Sequence, residues 1–214
     1  MDFPDRYGKV KDIRDFCFKS QIVSYEQYRA LVEGFNYKMW DWYTGMLVWK
    51  NQNPWTALRG FFYDYYLDYT GGYFGYKHGA EPVHIQLNLN DSAVCVLNQT
   101  AEKMSSVSAA VLLYDMHGKL LSENNNQVNL NAHEGKLLNK VSLPQNTDQV
   151  FFLKLLLKQG SKAIDENLYW LTNKKHSYEK LNELVKVTAN TTIKRGEKGH
   201  ALIEISNPGE ETAF

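Results

Sequence analysis

Two indoles bracket three side-chain amides in the stretch Leu47–Trp55: Trp49 and Trp55, with Asn51, Gln52 and Asn53 between them. The chemistry such a set can do is recognition of a polyhydroxylated ring. Axial C–H groups give one face of a pyranose an apolar patch that a flat indole can cover. Side-chain amides donate to and accept from hydroxyls without introducing charge. The flanking order suggests how these groups would be positioned. Met46–Trp49 is a short unalternating apolar run after Gly45, the pattern of a parallel strand covered on both faces. Asn53 and Pro54 read as a helix start, Asn capping free N–H groups and Pro occupying the first turn. In barrel enzymes the strand-to-helix side is the side that binds substrate. Trp49 is the candidate floor of such a site, with Asn51, Asn53 and Trp55 as further binding residues. Lys50 reads as a surface residue.

Other chemistry is poorly provided for. Glu33, Asp41 and Asp64 fall on or beside amphipathic helical patterns, where a solvated face or an ion pair is the ordinary role, and Glu81 precedes Pro82 as a linker anchor. No catalytic residue is therefore named. The six histidines (78, 84, 117, 133, 176 and 200) show no ligand spacing, so no metal is expected. Gly71, Gly72 and Gly75 follow a helical pattern rather than a strand, which leaves a phosphate loop unsupported, and the serines lack a nucleophile elbow. Cys17 and Cys95 read as reduced core thiols. Asn98-Gln-Thr and Asn190-Thr-Thr are formal glycosylation sequons.

The 214 residues carry 24 Lys+Arg and 24 Asp+Glu, a formal net charge of zero, so there is no basic footprint for nucleic acid or a membrane surface. No apolar run reaches the ~20 residues of a bilayer span. The N-terminal residues lack a secretory pattern; if the parent protein is secreted or periplasmic, these residues do not carry the address.

The pattern changes near residue 80. Before it, Gly8 to Gln21 contains a helix with Val10, Ile13, Phe16 and Cys17 on one face. Ser24 and Gln27 fit a capping box for a second helix carrying Tyr28, Leu31, Val32, Phe35, Met39 and Trp42. A further helix spans Trp55 to Tyr69 and stops at Thr70-Gly71-Gly72. From Val83 the period becomes two: Val83, Ile85, Leu87 and Leu89 alternate with His84, Gln86, Asn88 and Asn90, a half-buried antiparallel strand. Strands follow at Ala93 to Asn98, Val107 to Asp115, Lys119 to Ser122, Gly135 to Ser142, Val150 to Lys158 and Asn167 to Thr172. Turn signals, Asn124-Asn-Asn126 among them, separate these strands. Six or seven such strands argue for an immunoglobulin-like sandwich. Val185–Val187 and Ala201–Ile205 look like two more, belonging to a further sandwich.

Tyr25–Gly34, Thr44-Gly45, Val48–Trp55, Leu58-Arg-Gly60, Asp64, Leu67-Asp68 and Ala80–Gln86 together resemble glycoside hydrolase family 2. The branch they are most similar to is that of the exo-β-D-glucosaminidases and mannosylglycoprotein endo-β-mannosidases. The specific motifs lie between about residues 15 and 90; beyond that the match thins to Asn98-Gln-Thr100, Asn167–Trp170 and Tyr178–Leu184. The resemblance implies an α/β plus all-β chain. Residues 1–80 would be the C-terminal end of a (β/α)8 glycosidase barrel, supplying its final helices and strand. Residues 81–175 would be an immunoglobulin-like β-sandwich, and 176–214 a linker and the start of another. It implies a retaining mechanism needing no cofactor, and an aromatic role at Trp49. The two carboxylates of that mechanism, about 5–5.5 Å apart, are implied on barrel strands upstream of these residues. The chain would then be inactive alone, its partners a β-linked oligosaccharide substrate and the missing N-terminal part of its own chain. Both ends read as truncated. The alternative is a non-catalytic carbohydrate-binding or interaction module, for which Tyr114, Phe152, Tyr169 and Trp170 would have to lie exposed on one sandwich face.

Overall fold

The computed structural model describes residues 3–53, 55, 62–145, 149–173, 177–196 and 200–209. One helix, α1 (Ile13–Tyr37), runs 25 residues without a break. Asp12 caps it, accepting from the Asp15 amide at 2.9 Å. The capping box expected at Ser24 is not used: the residues around it contain neither Gly nor Pro to interrupt the hydrogen-bond ladder, so two expected helices are one. A second helix, α2 (Gly71–Gly79), begins where a helix was expected to stop, with Thr70 as its N-cap residue. Its glycines explain the reversal. A Cβ on Gly71 would lie 2.1 Å from the Gln21 carbonyl, one on Gly75 2.1 Å from that of Tyr25, and one on Gly79 3.1 Å from Val32. Glycine at four-residue spacing here lets two helix backbones touch. The helix expected over Trp55 to Tyr69 falls partly on residues 54 and 56–61, which lie outside the described residues; residues 62–70 form turns and isolated bridges.

Seven antiparallel strands form a two-sheet sandwich: β1 (Val83–Asn88), β2 (Ala93–Asn98), β3 (Met104–Tyr114), β4 (Leu120–Leu130), β5 (Glu134–Lys140), β6 (Val150–Gln159) and β7 (Lys162–Thr172). Their orders are β1-β2-β5 and β4-β3-β6-β7. Ile85, Leu87, Val94 and Val96 of the first sheet face Val111, Leu113, Leu153 and Leu155 of the second in one buried cluster, the face-to-face packing expected of alternating strands. Asn124–Asn126, expected as a turn, lies inside β4, paired with Val111, Ala110 and Ala109. Edge position explains it, because polar side chains are tolerated on both sides of an outer strand. Of the two late strands expected, Ala201–Ile205 lies within β9 (Ala201–Ser206), but its partner is β8 (Asn190–Arg195) rather than Val185–Val187. Cys95 is buried and Cys17 exposed, both as free thiols. Cys17 therefore departs from the expected core position, because α1 buries a different face. Asn98 is buried, its amide donating to the Glu102 and Asn131 carbonyls, which leaves that sequon closed to glycosylation.

Candidate functional site

The expected strand at Met46–Trp49 is not formed. The segment is irregular, with Leu47 98% and Trp49 89% exposed. A buried parallel strand requires neighbours on both edges, and no described strand lies beside it in a sheet. The loop is held from behind. The Tyr63 amide donates to the Asn51 carbonyl at 3.0 Å, and Tyr63 meets the rings of Tyr69 and Tyr73 at 5.3 and 5.7 Å. Asp64, expected on a helix, shapes the next turn by accepting from the Tyr66 and Asp68 amides. Trp49, Asn51 and Trp55 are left open to solvent and Asn53 half-buried. The four expected binding residues thus share one exposed loop, with indoles accessible for stacking.

A second constellation escaped the sequence reading. The polar face of β1, expected to meet water, is covered by α1, which buries Glu33 against His84 and Gln86, with Arg29 buried one turn earlier against β7. Glu33 Oε1 accepts from His84 Nε2 at 3.2 Å, from the Asn167 amide at 2.9 Å and from the Tyr169 hydroxyl at 2.7 Å. His84 Nδ1 lies 2.8 Å from Asp165 Oδ2, which also accepts from the Ile85 amide at 2.8 Å. Arg29 donates to Asn167 Oδ1 and the Leu168 carbonyl, with its guanidinium 4.2 Å from the Tyr169 ring centre. Gln86 donates to the Glu33 carbonyl at 2.7 Å.

Burial works against charge on His84, but the hydrogen bonds and charges of Asp165 and Glu33 outweigh it and raise the imidazole pKa to about 9. Burial also opposes charge on Asp165, and there the His84 partner prevails, holding the carboxyl below its usual range. The group reads as an ion-paired joint between α1, β1 and β7. His78 adjoins it, and one ligand atom from each of His78, His84 and Asp165 lies within 4.8 Å of the others. Both His78 nitrogens are engaged, accepting from the Tyr25 hydroxyl at 2.7 Å and donating to the Glu166 carbonyl at 2.9 Å. His78 therefore has both ring nitrogens committed to protein partners. The carboxylates that converge here, Glu33 and Asp165, have side chains only 3% and 6% exposed, closed to a sugar. The signal that could have found this joint was the row His84, Gln86, Asn88 opposite a helix bearing Arg29, Glu33 and Asn36 at helical spacing.

Residues 90–176 match the family model described as Mannosidase Ig/CBM-like domain. The chain is 42% identical over 176 residues to a mannosylglycoprotein endo-beta-mannosidase of Lilium longiflorum, covering 77% of this chain and 18% of that protein. It is 31% identical over 175 residues to an exo-beta-D-glucosaminidase of Amycolatopsis orientalis, covering 79% and 17%. The crystal structure of the exo-chitosanase from A. orientalis superposes with a TM-score of 0.83 at 26% identity, over 98% of this chain and 28% of that one. A β-D-mannosidase from Dictyoglomus thermophilum shares the fold at 19% identity, with a TM-score of 0.77. The chain thus spans under a fifth of the length of these curated relatives.

Proposed function

Because the chain belongs with the endo-β-mannosidase and exo-β-glucosaminidase branch of glycoside hydrolase family 2, we propose that it is the non-catalytic C-terminal part of a retaining β-glycosidase acting on amino-sugar or mannoside linkages. In this reading residues 1–80 contribute the end of the catalytic barrel and 81–175 an accessory sandwich, with 176–214 leading into another. Met46–Trp49 becomes a strand only when the neighbouring barrel strands are present. Trp49, Asn51, Asn53 and Trp55 then form part of the substrate wall, while the nucleophile and acid/base come from outside this chain.

The observation that carries the proposal is the joint of Arg29, Glu33, His84, Asp165 and Asn167. It ties α1 to the sandwich by buried, ion-paired and hydrogen-bonded side chains, an arrangement suited to holding an accessory layer rigidly against a catalytic one. The similarity to the exo-chitosanase extends over both the helical layer and the sandwich. A free-standing binding module is disfavoured, because two of the aromatics it would need exposed, Phe152 and Tyr169, are buried at 4% and 2% exposure.

The test has two parts. The chain alone, offered p-nitrophenyl β-D-glucosaminide and β-D-mannoside, should give no turnover. In a longer natural protein containing these residues, Trp49→Ala should lower kcat/KM by about tenfold or more, as loss of an aromatic anchor does. Hydrolysis by the chain alone, or an unaffected Trp49→Ala enzyme, would sink the reading.

A further inference from the structure

A cavity of about 130 Å³ lies where the short 3₁₀ helix Pro4–Tyr7 meets α1 and β7, lined in part by Arg6, Glu26, Arg29, Glu33, Trp170 and Tyr178. A single buried water needs only ~10–15 Å³ of such space, whereas pockets for drug-sized ligands start at ~300 Å³. The cavity is sized for a few very small molecules.

Most of its polar wall is paired. Trp170 Nε1 donates to the Tyr7 hydroxyl at 2.7 Å, and that hydroxyl donates to Glu26 Oε2. The Arg29 guanidinium is held by Asn167 and the Leu168 carbonyl. The Arg6 guanidinium lies 5.0 Å from the Tyr178 ring centre. Two buried atoms of the lining residues have no hydrogen-bond partner among the described residues: Glu33 Oε2, an acceptor, and Arg6 Nε, a donor. Glu33 is 3% exposed. A buried charged group left short of a partner is costly, and native proteins rarely tolerate one.

This pair of atoms selects the ligand. What fills the cavity must donate to a carboxylate oxygen and accept from a guanidinium N–H. A metal cation would suit Glu33 but would face two guanidinium groups, Arg6 and Arg29. An anion would suit Arg6 but would face two carboxylates, Glu26 and Glu33. Water, which is neutral and both donates and accepts, meets the two demands at the right size.

We infer that the cavity is a structural water site, in which ordered water donates to Glu33 Oε2 and accepts from Arg6 Nε. The bridge extends the buried joint to the segment before α1. That segment is tied in turn to the one after β7. The Tyr178 amide donates to the Arg6 carbonyl at 2.6 Å, and Asn182 Nδ2 donates to the Tyr7 carbonyl at 2.9 Å. Water here holds the chain entering α1 and the chain leaving the sandwich to one buried carboxylate.

The test is a crystal structure of the full chain, with water–protein NOEs in solution as a second measurement. Density for water should stand within hydrogen-bond reach of both Glu33 Oε2 and Arg6 Nε. The Ala30 methyl, which lines the cavity, should show a cross-peak to long-lived water. Arg6→Met keeps an aliphatic stem against Tyr178 but removes the donor. It should speed exchange of the Tyr178 amide about tenfold relative to the Leu155 amide in β6, the effect of one hydrogen bond to a charged group. Glu33→Gln should speed the same amide, although no hydrogen bond among the described residues joins Glu33 to Arg6 or Tyr178. A dry cavity, a direct Arg6–Glu33 ion pair or an ion in place of water would overturn the site. So would Tyr178 exchange left unchanged by Arg6→Met.

Discussion

Strand β1 belongs to two regions built on opposite principles. Its inward residues, Ile85 and Leu87, enter an apolar core with Val96, Leu113 and Leu155; its outward residues, His84 and Gln86, enter a buried polar joint with Glu33, Asp165 and Asn167. Both sides are almost fully buried. In the core, stability is spread over many weak contacts, and a lost methyl group removes only its share. In the joint, stability depends on each charge keeping its partner, because an orphaned buried ion costs far more than a pair gains. One strand can therefore be robust on one face and brittle on the other.

The sharpest way to separate the two is Glu33→Ala. It removes the acceptor shared by His84, Asn167 and Tyr169 and leaves Arg29 facing them without that carboxylate. The expected loss is about 3–5 kcal/mol, as for other broken buried pairs, read from urea unfolding followed at a probe on α1. Ile85→Val, one position from His84 on the same strand, should cost only about 0.5–1.5 kcal/mol. Equal losses would mean that the polar joint is no more brittle than the core.

The joint should add a pH response that the apolar face of β1 does not have. The folded pKa of His84 is raised, to about 9, above its ordinary value of 6.5. Its contribution is therefore fully present below about pH 6.5 and is lost as pH rises through about 9, amounting to roughly 3 kcal/mol. Asp165 is held low, so its contribution is present above the ordinary carboxylate value and lost as pH falls through the depressed one. The urea midpoint should fall between neutral pH and about pH 10. That decline should be much reduced in His84→Gln, a variant less stable at neutral pH, leaving the part that buried Cys95, held above the ordinary thiol value, contributes at higher pH.

What could be read in the sequence follows the same division. The sandwich was legible because alternation along Val83–Leu89, and the apolar strands at 93–98 and 150–158, report burial directly through side-chain type. The joint was not, because a polar residue reads as solvent-facing unless its partner is known. Glu33 and His84 find each other only when α1 is laid across β1. The unbroken α1 and the position of α2 were hidden for a related reason: Ser24 and Gly71 carry signals for a helix start and a helix stop that tertiary contact overrides. At the loop site, residue types pointed to Trp49, Asn51, Asn53 and Trp55 as one group, but the apolar run before them does not make a strand without neighbours.

That override is itself measurable at Gly75, where Ala is a better helix former by propensity. A Cβ there would lie 2.1 Å from the Tyr25 carbonyl, so α1 and α2 would have to part along their contact. Gly75→Ala should cost about 1–3 kcal/mol, in the range of other overpacked sites. A gain would show that the helices separate at no cost, and that the glycine spacing has another cause.

The smallest effect is expected where the residue is most conspicuous. Trp49 is 89% exposed, and an exposed side chain with few packing neighbours contributes within about 0.5 kcal/mol either way. Trp49→Ala should therefore leave the urea midpoint of this chain unchanged. A large indole that contributes little to the fold it stands on, in a loop anchored from behind by Tyr63, is free for the recognition role proposed above. If Trp49→Ala instead destabilised the chain by more than about 1 kcal/mol, the indole would be packing against it in solution. Its exposure would then no longer support a place in a substrate wall, and the contrast between a loop kept for recognition and a joint kept for rigidity would fail on its weaker side.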